Sequence, residues 1–551
     1  MAGLFTRKAL ETLGSCIDPR LRLSDPFDQP FGKIDHAAAE LARSVGEQAA
    51  NLPLREGIYF ITSLYPAMLP ARLRSQLGAF YTPPCLVERL LDLATETGLR
   101  WEEVRVLDPA AGSGAFLVAA AARMLDALGD VEPAIALRFI CSRLRGLELD
   151  PIAAGLAQAA LEITLCDLSE VAGLPVPPMV RVCDTLEEQP EPTFNLVIGN
   201  PPYGRVSLTP EQRTRFRRSL YGHANLYGVF TDAALRWSQI GGKVAFLTPT
   251  SFLAGQYYSA LRRLLAEEAP PVTIDFVNAR RGVFEDVLQE TLLAVYARGE
   301  GNTRAQVHYL KVRNEREAEV VRNGTFALPL DPSTPWLAPR SPEHSALIAR
   351  VEGMTSRLYD YGYAVSTGPL VWNRHKSQLR NAPDGRRVHP LVWAECVTAD
   401  GRFVFRALKR NHAPYFKLEP GDDWLRINEP CVLVQRTTAK EQTRRLMAAE
   451  LPNAFVREHG GVIVENHLNM IRATETSPVA PAVVAAILNS AVVDQVFRCM
   501  NGSVAVSAFE LEALPLPDTD AIGPLTKLVS AGADAKTIAA ECNRLYGCSA
   551  A

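Results

Sequence analysis

The stretch Val106-Leu107-Asp108-Pro109-Ala110-Ala111-Gly112-Ser113-Gly114-Ala115-Phe116 reads as the end of a strand, a loop of small residues and the start of a helix. A turn of this kind belongs to a parallel α/β sheet. Small side chains let a ligand approach the backbone, and the first helical turn offers N–H groups without helical partners. The spacing is not G-x-G-x-x-G, the dinucleotide pattern. Asp108 at the strand end would repel a pyrophosphate and suits a ligand bearing an amino or sulfonium cation. The plain alternative is a tight turn in which Asp108 caps the helix.

Further strand ends carry similar chemistry. The next strand closes at Leu147-Glu148-Leu149-Asp150, where an acid can take both hydroxyls of a ribose. Another closes at Cys183-Asp184, where a carboxylate can accept from an adenine amino group. The fourth, Phe194-Asn195-Leu196-Val197-Ile198-Gly199, runs into Asn200-Pro201-Pro202-Tyr203. Its two prolines stiffen the loop and leave the Pro201 carbonyl outside any helix. With the Asn200 side chain, that carbonyl makes two acceptors for one NH2 group, and Tyr203 supplies a flat face for a planar substrate. The plain alternative here is a Pro-rich loop with Tyr203 as a partly buried wall.

Outward from these strand ends, short apolar runs alternate with helical stretches from residue 76 to about 300. Strands are expected at 105–107, 144–147, 179–182, 196–198, 244–247, 273–277 and 291–296, and helices at 114–128, 151–164, 227–239 and 257–267. The alternation predicts a parallel, doubly wound sheet of the Rossmann-like kind. Residues 1–75 show helical periodicity, as in 36–50 and 54–69. The expected organisation is a helical segment at 1–75, a catalytic α/β domain at 76–315, a linker at 316–344 and a separate α+β domain at 345–551. A further strand is expected at 306–312.

The chain has 551 residues, 47% hydrophobic and 22% charged, which is an ordinary globular composition. It contains no run of about 18 apolar residues, so no membrane partner is expected. The N-terminus lacks a secretory h-region. The ten cysteines form no C-x-x-C pair or Cys/His cluster, so no metal site is expected. Cys141, Cys166 and Cys183 read as buried free thiols, and a reducing, cytoplasmic setting is inferred. The net charge of −3 does not mark a nucleic-acid binder in bulk. The local distribution is more suggestive: Arg205, Arg213, Arg215, Arg217 and Arg218 follow the Asn-Pro-Pro-Tyr loop, and Lys376 and Arg436 lie in further basic groups. A basic stripe on one face suffices for phosphate binding. Each cluster taken alone also fits a solvated surface.

In the order of its motifs the chain resembles the gamma-class DNA adenine-N6 methyltransferases of bacterial restriction–modification systems. The resemblance is carried by Gly78-Ala79-Phe80-Tyr81-Thr82-Pro83-Pro84, the Asp108–Gly114 loop, the Glu148 and Asp184 strand ends and Asn200-Pro201-Pro202-Tyr203. Asn225-Leu226-Tyr227, Gly241–Pro249 and Val283-Phe284-Glu285-Asp286-Val287 extend it. More loosely, it includes Val365–Pro369, Gln435–Thr438, Glu465-Asn466-His467, Leu488-Asn489-Ser490 and Leu514–Pro517 as parts of a target-recognition domain. It implies a class I methyltransferase sheet and S-adenosyl-L-methionine as cofactor. Tyr81, Thr82, Asp108, Ala110, Gly112, Gly114 and Phe116 would hold the methionine and sulfonium end, Glu148 the ribose and Asp184 the adenine. Asn200 would border the cofactor and, with Pro201, Pro202 and Tyr203, form the catalytic loop. Tyr203 and Phe284 would stack on the target adenine. Arg205, Arg213, Arg217, Lys376 and Arg436 would contact DNA. Double-stranded DNA is the implied partner, with a separately encoded restriction endonuclease as companion.

Other readings remain open at this point. Enzymes that methylate a glutamine amide of a protein, and some that methylate RNA guanines, use the same tetrapeptide on a planar NH2 group. A fused restriction–modification enzyme would need a nuclease acid followed by Glu-x-Lys before residue 76, and none is evident. A binding module that kept the fold without the chemistry has no need of Asp108, Asp184, Asn200 and Tyr203 together.

Overall fold

The computed structural model describes residues 1–24, 34–77, 82–279, 290–437, 444–474, 479–502 and 505–548. The chain divides into two compact units: residues 1–252, 257–322 and 331–333 form one, and 253–256, 323–330 and 334–551 the other.

The first unit opens with helices α1 (Ala2–Ile17), α2 (His36–Ala49), α3 (Leu54–Met68) and α4 (Ala71–Leu77), followed by α5 (Pro84–Glu96). The α/β pattern then begins with β1 (Val106–Asp108), α6 (Ala115–Leu128), α7 (Pro133–Arg143), β2 (Leu144–Glu148), α8 (Pro151–Thr164), α9 (Cys166–Ala172), β3 (Val180–Val182) and β4 (Phe194–Gly199). A small ribbon, β5 (Arg205–Val206) paired with β6 (Ala224–Asn225), flanks α10 (Pro210–Arg215). The unit continues through α11 (Leu226–Trp237), β7 (Ser238–Pro249), α12 (Ser259–Glu268), β8 (Pro271–Ala279), β9 (Thr291–Ala297), β10 (Arg304–Val312) and β11 (Ala318–Ala327).

The nine-stranded sheet has the order β11-β10-β8-β9-β7-β4-β1-β2-β3. Strands β3, β2, β1, β4 and β7 are mutually parallel, as the alternation predicts. The expected all-parallel sheet is corrected at β9, which runs antiparallel to both β7 and β8. Every residue of β9 is buried, and an apolar run buried on both faces carries no mark of its direction. Residues 316–344, expected as a linker, hold β11, and the chain passes into the second unit at Asn323 within that strand. The strand order reverses between β1 and β4, which opens a crevice at their carboxyl ends.

The N-terminal helices belong to the core of this unit. Ala9, Leu10, Leu13, Ile58 and Ile61 lie in one buried cluster with Leu86, Phe116, Leu161 and Ile163. Each of the leucine, isoleucine and phenylalanine side chains contributes about 1.5–3 kcal/mol on burial. Cys141 and Cys166 are buried free thiols, and burial pushes both up to about 11. Cys183 is half-buried instead.

The second unit holds a four-stranded sheet, with β12 (Tyr363–Thr367), β17 (Cys431–Gln435), β18 (Ala448–Leu451) and β20 (Leu468–Ala473) in the order β12-β20-β17-β18. A five-stranded sheet has the order β13-β15-β14-β19-β16, from β13 (Leu379–Arg380), β14 (Val388–Val392), β15 (Tyr415–Lys417), β16 (Arg426–Ile427) and β19 (Val462–Val464). Helices Pro481–Leu488 and Ala491–Met500 pack into the core that covers the first of these sheets.

Candidate active site

A cavity of about 390 Å³ opens at the carboxyl ends of β1 to β4. Its walls are Pro109–Ser113 after β1, Glu148–Asp150 at the end of β2, Cys183–Leu186 after β3, and Asn200 and Pro202 after β4. Four of the sequence-predicted segments therefore meet at one place.

The loop after β1 is tied down from two sides. Ala111 donates its backbone N–H to the Leu147 carbonyl at 3.0 Å, and Gly112 donates to Glu148 Oε2 at 2.7 Å. Glu148 Oε1 accepts from the Asp150 backbone at 2.8 Å. Burial holds the Glu148 carboxyl above its ordinary range, and these backbone donors oppose the shift. Gly114 adopts φ +91, and a Cβ there would stand 3.0 Å from the Cα and Cβ of Ala157. Glycine is thus required both for the left-handed turn and for the approach of α8. Gly112 has φ +52 and no heavy atom within 4 Å of an added Cβ, so its backbone faces open space. Phe116 lines the cavity from the first turn of α6.

Asp108 sits behind this loop rather than on the cavity wall, with 1% of its surface exposed. Its Oδ1 accepts from Ala110 N at 3.0 Å, and its Oδ2 is buried with no hydrogen-bond partner among the described residues. Burial, aided by the nearby Glu148 charge, pushes its carboxyl up to about 8. Asp184 is exposed at the rim, where Oδ1 accepts from Leu186 N at 2.9 Å.

Asn200 meets Thr82 at the opposite side. In the assigned amide orientation Asn200 Nδ2 donates to Thr82 Oγ1 at 3.1 Å, while Oδ1 is buried without a hydrogen-bond partner among the described residues. Leaving a buried acceptor unpaired costs on the order of 1–3 kcal/mol, so such an atom points to a missing donor. Pro201 is buried and Pro202 lines the cavity. Tyr203 lies off the cavity wall: its hydroxyl donates to the Leu247 carbonyl at 3.2 Å, and its ring meets Tyr227 edge-on with centroids 6.1 Å apart. Burial raises its hydroxyl, so it stays protonated. Tyr81 and Phe284 fall outside the described residues.

The basic cluster after the loop divides into two kinds. Arg215 is spent on the Leu186 carbonyl, and Arg218 on Asp232 and Glu268. Arg205, Arg213 and Arg217 are exposed; Arg205 lies 5.9 Å from the Tyr257 ring centroid and Arg213 donates to the Gly222 carbonyl. In the second unit, Lys376 is exposed beside Trp372, and Arg436 is half-buried with Nη1 donating to the Asn466 carbonyl. The segments around Gly368, Arg436 and His467 converge at one end of the four-stranded sheet, since Gly368 N bonds to Leu468 O and Arg436 N to His467 O. Asn489 pairs with both backbone groups of Ala448, and the Pro515 and Pro517 carbonyls accept from buried Tyr546 and Tyr361. Those two motifs serve the fold.

Several cavity residues escaped the sequence reading. Tyr59, Thr62, Ser63 and Pro66 reach it from α3, and Leu226 and Phe230 from α11, with Leu149 at its edge. The spacing i, i+3, i+4, i+7 of the α3 set marks one helix face, but no motif flags that face as functional.

These features place the chain among known proteins. Residues 179–284 match the model of the Eco57I restriction-modification methylase family. The Type II methyltransferase M.BsuBI of Bacillus subtilis is 25% identical over 476 residues, covering 83% of this chain and 90% of that protein. The Type II methyltransferase M.PstI of Providencia stuartii is 25% identical over 507 residues, covering 88% and 96%. Among solved structures, the Type IIL restriction-modification enzyme MmeI in complex with DNA superposes with a TM-score of 0.56 at 12% identity, over 100% of this chain and 88% of that one. That last likeness is one of fold.

Proposed function

This chain carries an Eco57I-type restriction–modification methylase domain, and from that premise we propose that it methylates the N6 amino group of an adenine flipped out of double-stranded DNA. The observation that carries the reading is the buried, unpartnered Asn200 Oδ1 beside the 390 Å³ cavity. An acceptor in that state suits an incoming N–H. S-adenosyl-L-methionine fits the cavity's donor set and supplies, when bound, an electrophilic methyl group. Glu148 is the residue for the ribose, Asp184 for the adenine amine, and the Ala110–Ser113 loop with Thr82 for the amino-acid end. Asp108, its second oxygen unpaired behind the loop, favours positive charge in front of it.

Asn200 Oδ1 and the Pro201 carbonyl are the acceptors for the two hydrogens of the target amine. Hydrogen bonds to both draw the nitrogen toward a pyramidal, nucleophilic form, and they raise the rate insofar as they tighten in the transition state. An amine stacked in a duplex cannot reach Asn200, so the base must leave the stack. Stacking on Tyr203 and Phe284 offsets part of that cost. The second unit reads the flanking bases, with Arg436 and Lys376 as contacts, while Arg205, Arg213 and Arg217 hold phosphates. A separately encoded restriction endonuclease is the companion such a modification enzyme protects its own DNA against, and both work in the cytoplasm.

Incubation with labelled methyl donor and unmodified DNA, RNA or protein tests the class of substrate. Nucleoside digestion then identifies the base. Label in N6-methyl-2′-deoxyadenosine is the expected result. Label confined to cytosine, RNA or protein overturns the reading.

A further inference from the structure

We infer that helix α3 is a working wall of the reaction site, and that its Tyr59 is a positioning residue which sets the Asn200 amide through Thr82. The inference rests on the site reading above and goes beyond it, because the resemblance places nothing functional in residues 1–75. The Tyr59 hydroxyl donates to the Thr82 carbonyl at 2.9 Å. That carbonyl stands outside the helix that follows: Leu86 and Val87 both bond to the Pro83 carbonyl, and Pro84 occupies the first turn of α5. Thr82 is therefore held by Tyr59 on one side and by a stiff Pro-Pro step on the other. Its hydroxyl in turn accepts from Asn200 Nδ2 at 3.1 Å.

An amide presents a donor on one side and an acceptor on the other. Turned about, Asn200 would offer its NH2 to the target NH2, and the two would repel. The bond to Thr82 holds the amide in place at the cavity and, in the assigned orientation, leaves Oδ1 for substrate. Helix α3 is itself braced against the opposite wall. Tyr65 is buried, and its hydroxyl donates to Asp150 Oδ2 at 2.5 Å, while Asp150 Oδ1 caps α8 at Ile152 N. The helix so spans from the end of β2 to the Thr82 segment, with Tyr59, Thr62, Ser63 and Pro66 facing the cavity.

The test uses the full chain, labelled methyl donor and unmodified DNA under single-turnover conditions. Tyr59→Phe removes one hydroxyl and keeps the ring. Loss of one ordinary hydrogen bond should lower the transfer rate on the order of tenfold, with donor affinity within about threefold of wild type. Thr82→Val should lower the rate comparably and Thr82→Ser should restore it. In the Thr82→Val background Tyr59→Phe should cost nothing more, since the link it acts through is gone. A merely structural Tyr59 gives additive losses, or a fall in donor affinity matching the fall in rate, and either result overturns the proposal. So does a wild-type rate in Tyr59→Phe. Should that variant fail to fold, the Val and Ser variants at Thr82 decide: equal rates in the two overturn the relay. If the wild-type chain itself methylates no DNA, the proposed function has failed instead.

Discussion

Asn200 and Thr82 are 118 residues apart in sequence and joined by a 3.1 Å hydrogen bond from the amide nitrogen of one to the hydroxyl of the other. Each immediately precedes a Pro-Pro pair. A residue before proline is confined to extended backbone, so both side chains leave from stiff platforms. In the assigned orientation Asn200 Oδ1 is the amide atom without a partner among the described residues.

Asn200→Ala should therefore lower methyl transfer by about 10²–10³-fold or more, the scale of removing one aimed polar group from a reaction site. Donor affinity should change by less than about tenfold, because the cofactor loop and Glu148 are untouched. Single-turnover rates and titration calorimetry check the two halves; full activity in the variant would sink the mechanism.

Asp108 sets a pH dependence. Its carboxyl is neutral below about pH 8 because it is buried. A cation in the cavity favours the ionised form, so donor binding should release a proton, and affinity should fall as pH drops from about 8 to 6. Calorimetry in buffers of different ionisation enthalpy reads the proton directly, and Asp108→Asn should abolish it. For stability the sign is opposite. The folded value lies above the ordinary 3.8, so stability present at low pH is lost as pH rises through about 8. Asp108→Asn should accordingly melt a few degrees higher at about pH 7.5 while binding donor more weakly.

Gly114→Ala combines a left-handed φ of +91 with a Cβ only 3.0 Å from Ala157. The strain should destabilise the first unit by at least about 1 kcal/mol. Thermal melts with and without donor check it, and an unchanged melting temperature would contradict the packing at α8.

Arg217 and Arg218 are adjacent and should behave differently. Arg218 pairs with Asp232, which is fully buried and also held by Arg236, so Arg218→Ala should destabilise by roughly 1–3 kcal/mol. Exposed Arg217→Ala should leave stability unchanged. It should weaken DNA binding without regard to sequence and reduce the salt slope by about one. Denaturation and salt-dependent DNA titrations separate the two.

Much of the first unit was legible from its sequence. Strands expected at 196–198 and 291–296 appear as Phe194–Gly199 and Thr291–Ala297, because apolar runs between polar turns mark buried strands directly. The small-residue loop, Glu148 and Asn200 announced themselves by their places at strand ends, and the fold brings them to one cavity. Strand direction was not legible, since the burial that marks β9 is the same either way along the chain. Nor was the division of labour among the arginines, which depends on whether a carboxylate such as Asp232 waits nearby in space.

By itself the sequence determined the order of the α/β elements and the chemistry offered at each strand end, because periodicity and residue type are local properties. Only the tertiary structure decided what the Asn200 amide meets, that Asp108 lies behind its loop, and that α3 lines the cavity. Each of those depends on proximity across many residues: Tyr59 bonds to Thr82, Asp108 packs where a Cβ at Gly199 would stand 2.7 Å from its Oδ1, and Tyr65 bonds to Asp150. Hydrogen bonds and close packing act through distance in space, and no local pattern encodes that distance.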